Sequence, residues 1–107
     1  MREEIEIQGH KVVFKTLTWG AKQEALREAT EWRRGNSGEL EPDVDPWRLN
    51  DLMLLGSVEE WDLVDESGEP VPLTIEGLHG LEPRLAEELI AEMLDLNGVT
   101  GAERKKS

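Results

Sequence analysis

The segment Asp45-Pro46-Trp47-Arg48-Leu49-Asn50-Asp51-Leu52-Met53-Leu54-Leu55 sets the strongest limit on the fold. Asp45 is suited to cap a helix, and Pro46 fits the first turn, where no amide donor is needed. Trp47, Leu49 and the run Leu52 to Leu55 then fall on nearly every side of that helix. Such a helix belongs at the centre of a fold, with other elements packed around it. Gly56-Ser57 ends or kinks it, which gives a helix over about 46–57. The 107 residues fit one domain with a core of modest size.

The flanking segments supply the covering elements. Glu4-Ile5-Glu6-Ile7 alternates polar and apolar, Gln8-Gly9-His10 makes a turn, and Lys11 to Leu17 is rich in β-branched and aromatic residues. This predicts a hairpin over 3–17. Thr18 caps a second helix, predicted over 18–34, with Ala25, Leu26, Ala29 and Trp32 on one face. Arg33 and Arg34 sit where cations favour a helix C-terminus, and Gly35 ends it. Asn36 to Asp43 reads as a polar, mobile loop.

Trp61 to Val64 and Val71 to Leu73 flank the reversal-prone cluster Asp65-Glu66-Ser67-Gly68-Glu69. Pro70 and Pro72 confine the second arm to an edge or an irregular extended segment. Thr74 caps a short turn over 75–78, and Pro83 opens a last helix over 83–96. Ala86, Leu89, Ile90, Met93 and Leu94 form its apolar face, and Asn97-Gly98 stops it. The predicted class is α+β, mainly α: an N-terminal β-hairpin, then a small bundle of three main helices with a short second hairpin or extended segment. One globular domain covers 1–97, and 98–107 is predicted to be a disordered polar tail.

The chain carries 12 basic and 24 acidic residues, a net charge of -12. That disfavours direct binding to a phosphate backbone. It fits a well-solvated surface, and it fits partners that are basic or apolar. The absence of cysteine removes disulfides and thiolate chemistry and agrees with a cytoplasmic protein. The longest apolar run, Leu52 to Leu55, is far short of the ~20 residues that span a bilayer. No calcium loop fits: counting from Asp62, the third position is Val64 and the sixth is Ser67, where an oxygen ligand and a glycine are required. His10 and His79 have no second histidine within helical reach for zinc. Ser37, Ser57 and Ser67 lack a nucleophile context, and Gly77-Leu78-His79-Gly80 is no phosphate loop. The reading is of a binding protein with no cofactor and no catalytic residues.

Trp19, Trp32, Trp47 and Trp61 stand in a chain with one Phe and no Tyr. Tryptophan is common in small cores and also enriched at partner surfaces. The candidate partner-binding residues are Trp47, Trp61, Leu54 and Val58.

The order of features resembles a known family. Leu17-Thr18-Trp19-Gly20 opens a polar helix, and a leucine-rich helix leads into Val58-Glu59-Glu60-Trp61-Asp62. Gly68-Glu69-Pro70-Val71-Pro72-Leu73-Thr74 and Leu81-Glu82-Pro83 follow, and a final helix closes at Leu96-Asn97. This looks like the small tail assembly chaperones of long-tailed bacteriophages and prophages, over nearly the whole chain. The resemblance implies a non-catalytic protein of the bacterial host cytoplasm. It implies that many copies bind the tape-measure protein, a long helix-rich chain, and keep it soluble until the tail tube forms. Self-association and contact with the tail-tube protein also belong to that expectation. The family often makes a longer product by frameshifting, and Lys105-Lys106-Ser107 lies at the corresponding end.

The alternative is an acidic inhibitor that mimics nucleic acid or neutralises a basic partner. It requires acids gathered on one face, whereas Glu3, Glu24, Glu59, Glu82 and Glu92 are spread along every element. From sequence, Trp61→Ala is expected to damage folding or partner binding, and Asp65→Asn with Glu66→Gln to leave both nearly unchanged. Thermal unfolding and a partner-binding assay check this pair.

Overall fold

The structure, a computed structural model, describes residues 2–97, so the predicted tail over 98–107 lies outside the described residues. Gln8 and Gly9 both have positive φ, +52° and +82°, as a two-residue type I′ turn requires. That turn joins β1 (Arg2–Ile7) to β2 (His10–Lys15), with Ile5 opposite Val12 and Ile7 opposite His10. Ile5, Ile7, Val12 and Phe14 therefore share the inner face. On the outer face Glu6 stands opposite Lys11, an oppositely charged cross-strand pair.

Thr18 caps α1 (Trp19–Glu28), its hydroxyl accepting from the Ala21 amide at 3.1 Å. The predicted helix over 18–34 is corrected here: it ends at Glu28. Thr30–Arg34 is a strand, β3, antiparallel to β4 (Leu40–Val44). The Thr30 hydroxyl donates to the Leu26 carbonyl at 2.6 Å and so satisfies part of the helix end. Beyond it, β-branched Thr30 and aromatic Trp32 suit a strand better than a helix. The predicted 36–43 loop shrinks to a reversal between Gly35 and Glu39. The Gly38 amide donates to the Gly35 carbonyl at 3.0 Å, the Gly35 amide to Glu39 at 2.9 Å, and Gly38 takes φ +83°.

Asp45 caps α2 (Pro46–Ser57), accepting from the amides of Trp47 at 3.0 Å and Arg48 at 3.3 Å. The chain passes directly into β5 (Val58–Trp61), which adds to β2 and completes a three-stranded sheet of order β1-β2-β5. A register shift between Val13 and Phe14 accommodates it. The predicted short second hairpin or extended segment is a sparsely paired reversal, with one bridge, Val64 to Pro70, and bonds from the Val71 amide to the Leu63 carbonyl and from the Asp65 amide to the Glu69 carbonyl. Next come α3 (Ile75–His79), capped by Thr74, and α4 (Pro83–Leu96). At Gly77 a Cβ would lie 2.1 Å from the Pro72 carbonyl oxygen, so only glycine fits there.

Among the described residues the fold is thus a small α/β arrangement with two antiparallel sheets and four helices, not a mainly α three-helix bundle. Helix α2 packs against α1, α3, α4 and β5. Phe14, Leu54, Leu89 and Met93 are fully buried at the heart of the core. Helix α1 meets α2 through small residues, with Ala25 and Ala29 buried.

Asn97 clamps three elements together. Its Oδ1 accepts from the Leu17 amide at 2.9 Å, and its Nδ2 donates to the Met93 carbonyl at 2.8 Å and the buried Ser57 hydroxyl at 3.3 Å. Asn97→Ala leaves these groups without that partner, and a loss of about 1–3 kcal/mol is expected. Urea unfolding of the variant measures it.

Candidate protein-binding surface

The ribbon β3–β4 carries the most unusual surface. Among its residues only Thr30 is half-buried; the rest are exposed. Residues opposite one another in an antiparallel pair point to the same face. Thr30, Trp32 and Arg34 therefore share a face with Val44, Pro42 and Leu40. Trp32 is 64% exposed, Leu40 59% and Val44 38%, so this apolar face has no cover among the described residues. The other face is charged: Glu31, Arg33, Glu41 and Asp43, with Arg33 bonded to Glu31 at 3.1 Å and to Asp43 at 2.9 Å.

The ladder fixes the edges as well. Bonds from Asp45 to Ala29 and from Gly35 to Glu39 bracket the ribbon. Alternation between them makes Trp32 and Pro42 a non-hydrogen-bonded pair, the geometry with the closer side chains. The nitrogen of Pro42 faces outward, so the outer edge of β4 lacks a donor at its middle and resists strand addition. The base of the ribbon is held where α1 ends and α2 begins. There the Asp45 amide donates to the Ala29 carbonyl at 2.9 Å and the Arg48 Nε to the Glu28 carbonyl at 3.3 Å.

The predicted partner-binding residues separate into three environments. Trp47 is 78% exposed at the start of α2, beside a recess of about 210 Å³ that also touches Asp51 and His79. His79 Nε2 and Asp51 Oδ2 lie 2.9 Å apart there. Trp61 is half-buried, and its indole N–H donates to the Val71 carbonyl at 2.8 Å. It packs against the core and ties down the 63–73 segment. Leu54 and Val58 are buried, so in this conformation they belong to the core and offer no contact surface. The candidate partner-binding residues did not include Trp32, Leu40 and Val44, nor Trp19, which is 71% exposed. The signal for the first three was the shared parity of two short segments across Gly35–Glu39.

An open groove of about 1000 Å³ runs between His10, the 64–67 turn and the 76–85 segment. Val71, Leu81 and Leu85 contribute apolar surface, and Asp65, Glu66, Glu76 and Glu82 contribute acid. Asp65 is the hub of the turn beside it. Its Oδ1 accepts from the Ser67 hydroxyl at 2.6 Å and from the amides of Ser67 and Glu69 at 2.9 and 3.0 Å. The Ser67 hydroxyl, then the Glu69 amide, hold the Asp65 carboxyl below the usual carboxylate range. Among the described residues, no three or more His, Asp or Glu side chains converge as a metal site. No helix among them is long and apolar enough to cross a membrane.

Trp61→Phe keeps most of the apolar body and removes the bond to Val71. A destabilisation of about 1 kcal/mol is expected, against about 3 kcal/mol for Trp61→Ala, read by urea unfolding. Because the folded Asp65 pKa is lowered, its bonds favour the folded turn above the ordinary carboxylate value of 3.8 and are lost as pH falls through the folded pKa. The amide resonances of Gly68 and Glu69 should therefore hold steady down to that value and shift only below it; Ser67→Ala should raise the midpoint. No known protein family, curated protein or solved structure matches the chain.

Proposed function

We propose that the chain is a phage tail assembly chaperone. In this reading it is a non-catalytic protein of the host cytoplasm that covers apolar stripes of the helix-rich tape-measure protein and keeps that chain soluble. The observation that carries the proposal is uncovered apolar surface on a strongly acidic molecule: Trp19, Trp32 and Trp47 all stand exposed on a chain of net charge -12. Exposed tryptophans of this kind are suited to contact a partner. A long amphipathic helix self-associates unless its stripe is covered, and a coat of acidic domains makes the covered chain self-repelling. The resemblance to tail assembly chaperones in the order of sequence features, from Leu17-Thr18-Trp19-Gly20 to Leu96-Asn97, points to the same reading.

Apolar docking and charge mimicry differ in their response to salt. Binding led by apolar contacts weakens only modestly as ionic strength rises, whereas binding to a purely charge-mimicking surface weakens steeply. Co-expression with a tape-measure fragment should raise the soluble fraction of that fragment several-fold. The complex should survive 0.5 M salt on a sizing column. No gain in solubility, or a complex that dissolves between 0.1 and 0.5 M salt, overturns the proposal.

A further inference from the structure

Resting on the reading of a helix-binding protein, we propose that the apolar face of the β3–β4 ribbon is the docking element, and that its occupant is one amphipathic helix with basic flanks. A two-stranded ribbon is marginal in water unless something packs on its face. This one has an apolar face made by Trp32, Leu40, Pro42 and Val44, all exposed. The smallest stable covering is a second layer, and one helix laid on two strands supplies it. Strand addition is the weaker solution, because a strand added at either edge of the ribbon would leave the face bare, and the edge of β4 is also interrupted at Pro42.

The ribbon also sets the size of its occupant, and the net charge of the chain sets the occupant's charge. Strands of five residues run about 17 Å, the length of roughly eleven helical residues or three turns. A helix is about 10–12 Å across, so its flanks reach past both strands. The charged residue on the docking face itself is Arg34, while Glu31, Glu41 and Asp43 stand on the other face with Arg33. The whole chain carries -12. A helix with lysine or arginine beside its apolar stripe is complementary to that net charge, and one with glutamate there is repelled. The same charge works against a second copy of this chain as the occupant.

The test uses two amidated 14-residue peptides with the same leucine stripe at helical spacing, one flanked by lysine and the other by glutamate. The full chain is titrated with each while its backbone amides are followed by NMR. The lysine peptide should shift the amides of Trp32 and Leu40 and bind at least tenfold tighter than the glutamate peptide. Trp32→Thr with Leu40→Thr keeps β-forming residues while removing the apolar bulk. It should weaken binding about thirtyfold or more. Leu26→Ser, at an exposed position on α1, should change binding less than threefold. Unchanged amide shifts elsewhere show that each variant keeps its fold.

Equal binding by wild type and the ribbon variant overturns the inference, as does a preference for the glutamate peptide. A dimer of the free chain that Trp32→Thr with Leu40→Thr dissociates also overturns it, since the face is then covered by a second copy. Ribbon-dependent peptide binding by a chain that leaves a tape-measure fragment insoluble supports the docking surface and removes only the identity of its partner.

Discussion

Burial of α2 is the constraint around which the rest of the molecule is arranged. Leu54 is fully buried and Met53 nearly so, and the helix packs against α1, α3, α4 and β5. Its residues are apolar on too many sides to be satisfied by one layer. Helices α1 and α4 lie along it most extensively and α3 and β5 add smaller contacts, with Phe14, Leu89 and Met93 completing the interior. Helix α1 approaches it closely through Ala25 and Ala29. Alanine permits a close approach but buries little area, so α1 adds modestly to the core. Its larger apolar residues, Trp19 and Leu26, face outward.

Local chemistry made the ends of the molecule legible. Gln8-Gly9 specifies the first hairpin, Asp45-Pro46 the start of α2, Thr74 the start of α3, and Pro83 and Asn97 the limits of α4. The middle was hidden by residues that suit two structures. Arg33 and Arg34 fit the C-terminus of a helix, but here Arg33 ties Glu31 to Asp43 across the ribbon and Arg34 donates to the Gly38 carbonyl. Pro42 speaks against a strand, yet it is tolerated because its nitrogen faces the free edge. Ser37-Gly38-Glu39 and Ser67-Gly68-Glu69 form the same reversal, each with glycine near φ +84° and a bond closing residues four apart. Read alike, they place Leu40–Val44 against Thr30–Arg34 and bring Trp32 onto one face with Leu40 and Val44. For Leu54 and Val58 the difficulty was different. On a segment apolar on nearly every side, spacing does not say which residues face a partner and which face the sheet.

The division of the surface by charge has its own logic. A patch that exposes Trp32, Leu40 and Val44 invites self-association. The acids of the ribbon's other face and the net charge of -12 oppose it without removing the patch. That balance suits the proposed role, in which the molecule holds an apolar partner while remaining apart from its own copies. Long-range repulsion between copies is screened by salt, whereas apolar contact with a partner is not.

The ribbon is also where binding can be separated from stability. Its side chains contribute nothing to the buried cluster that contains Leu54 and Leu89. The link to that cluster is the backbone at Ala29 and Asp45, where α1 ends and α2 begins. Changes on its apolar face therefore alter the exposed surface without emptying a core position. Trp61 differs: its ring packs against the core and its indole holds Val71, so substitution there alters folding and the groove wall together. Surface and core tryptophans thus answer different questions. Loss of binding at Trp32 with an intact fold assigns the contact to the ribbon, whereas loss at Trp61 assigns it to nothing in particular, because the framework has moved as well.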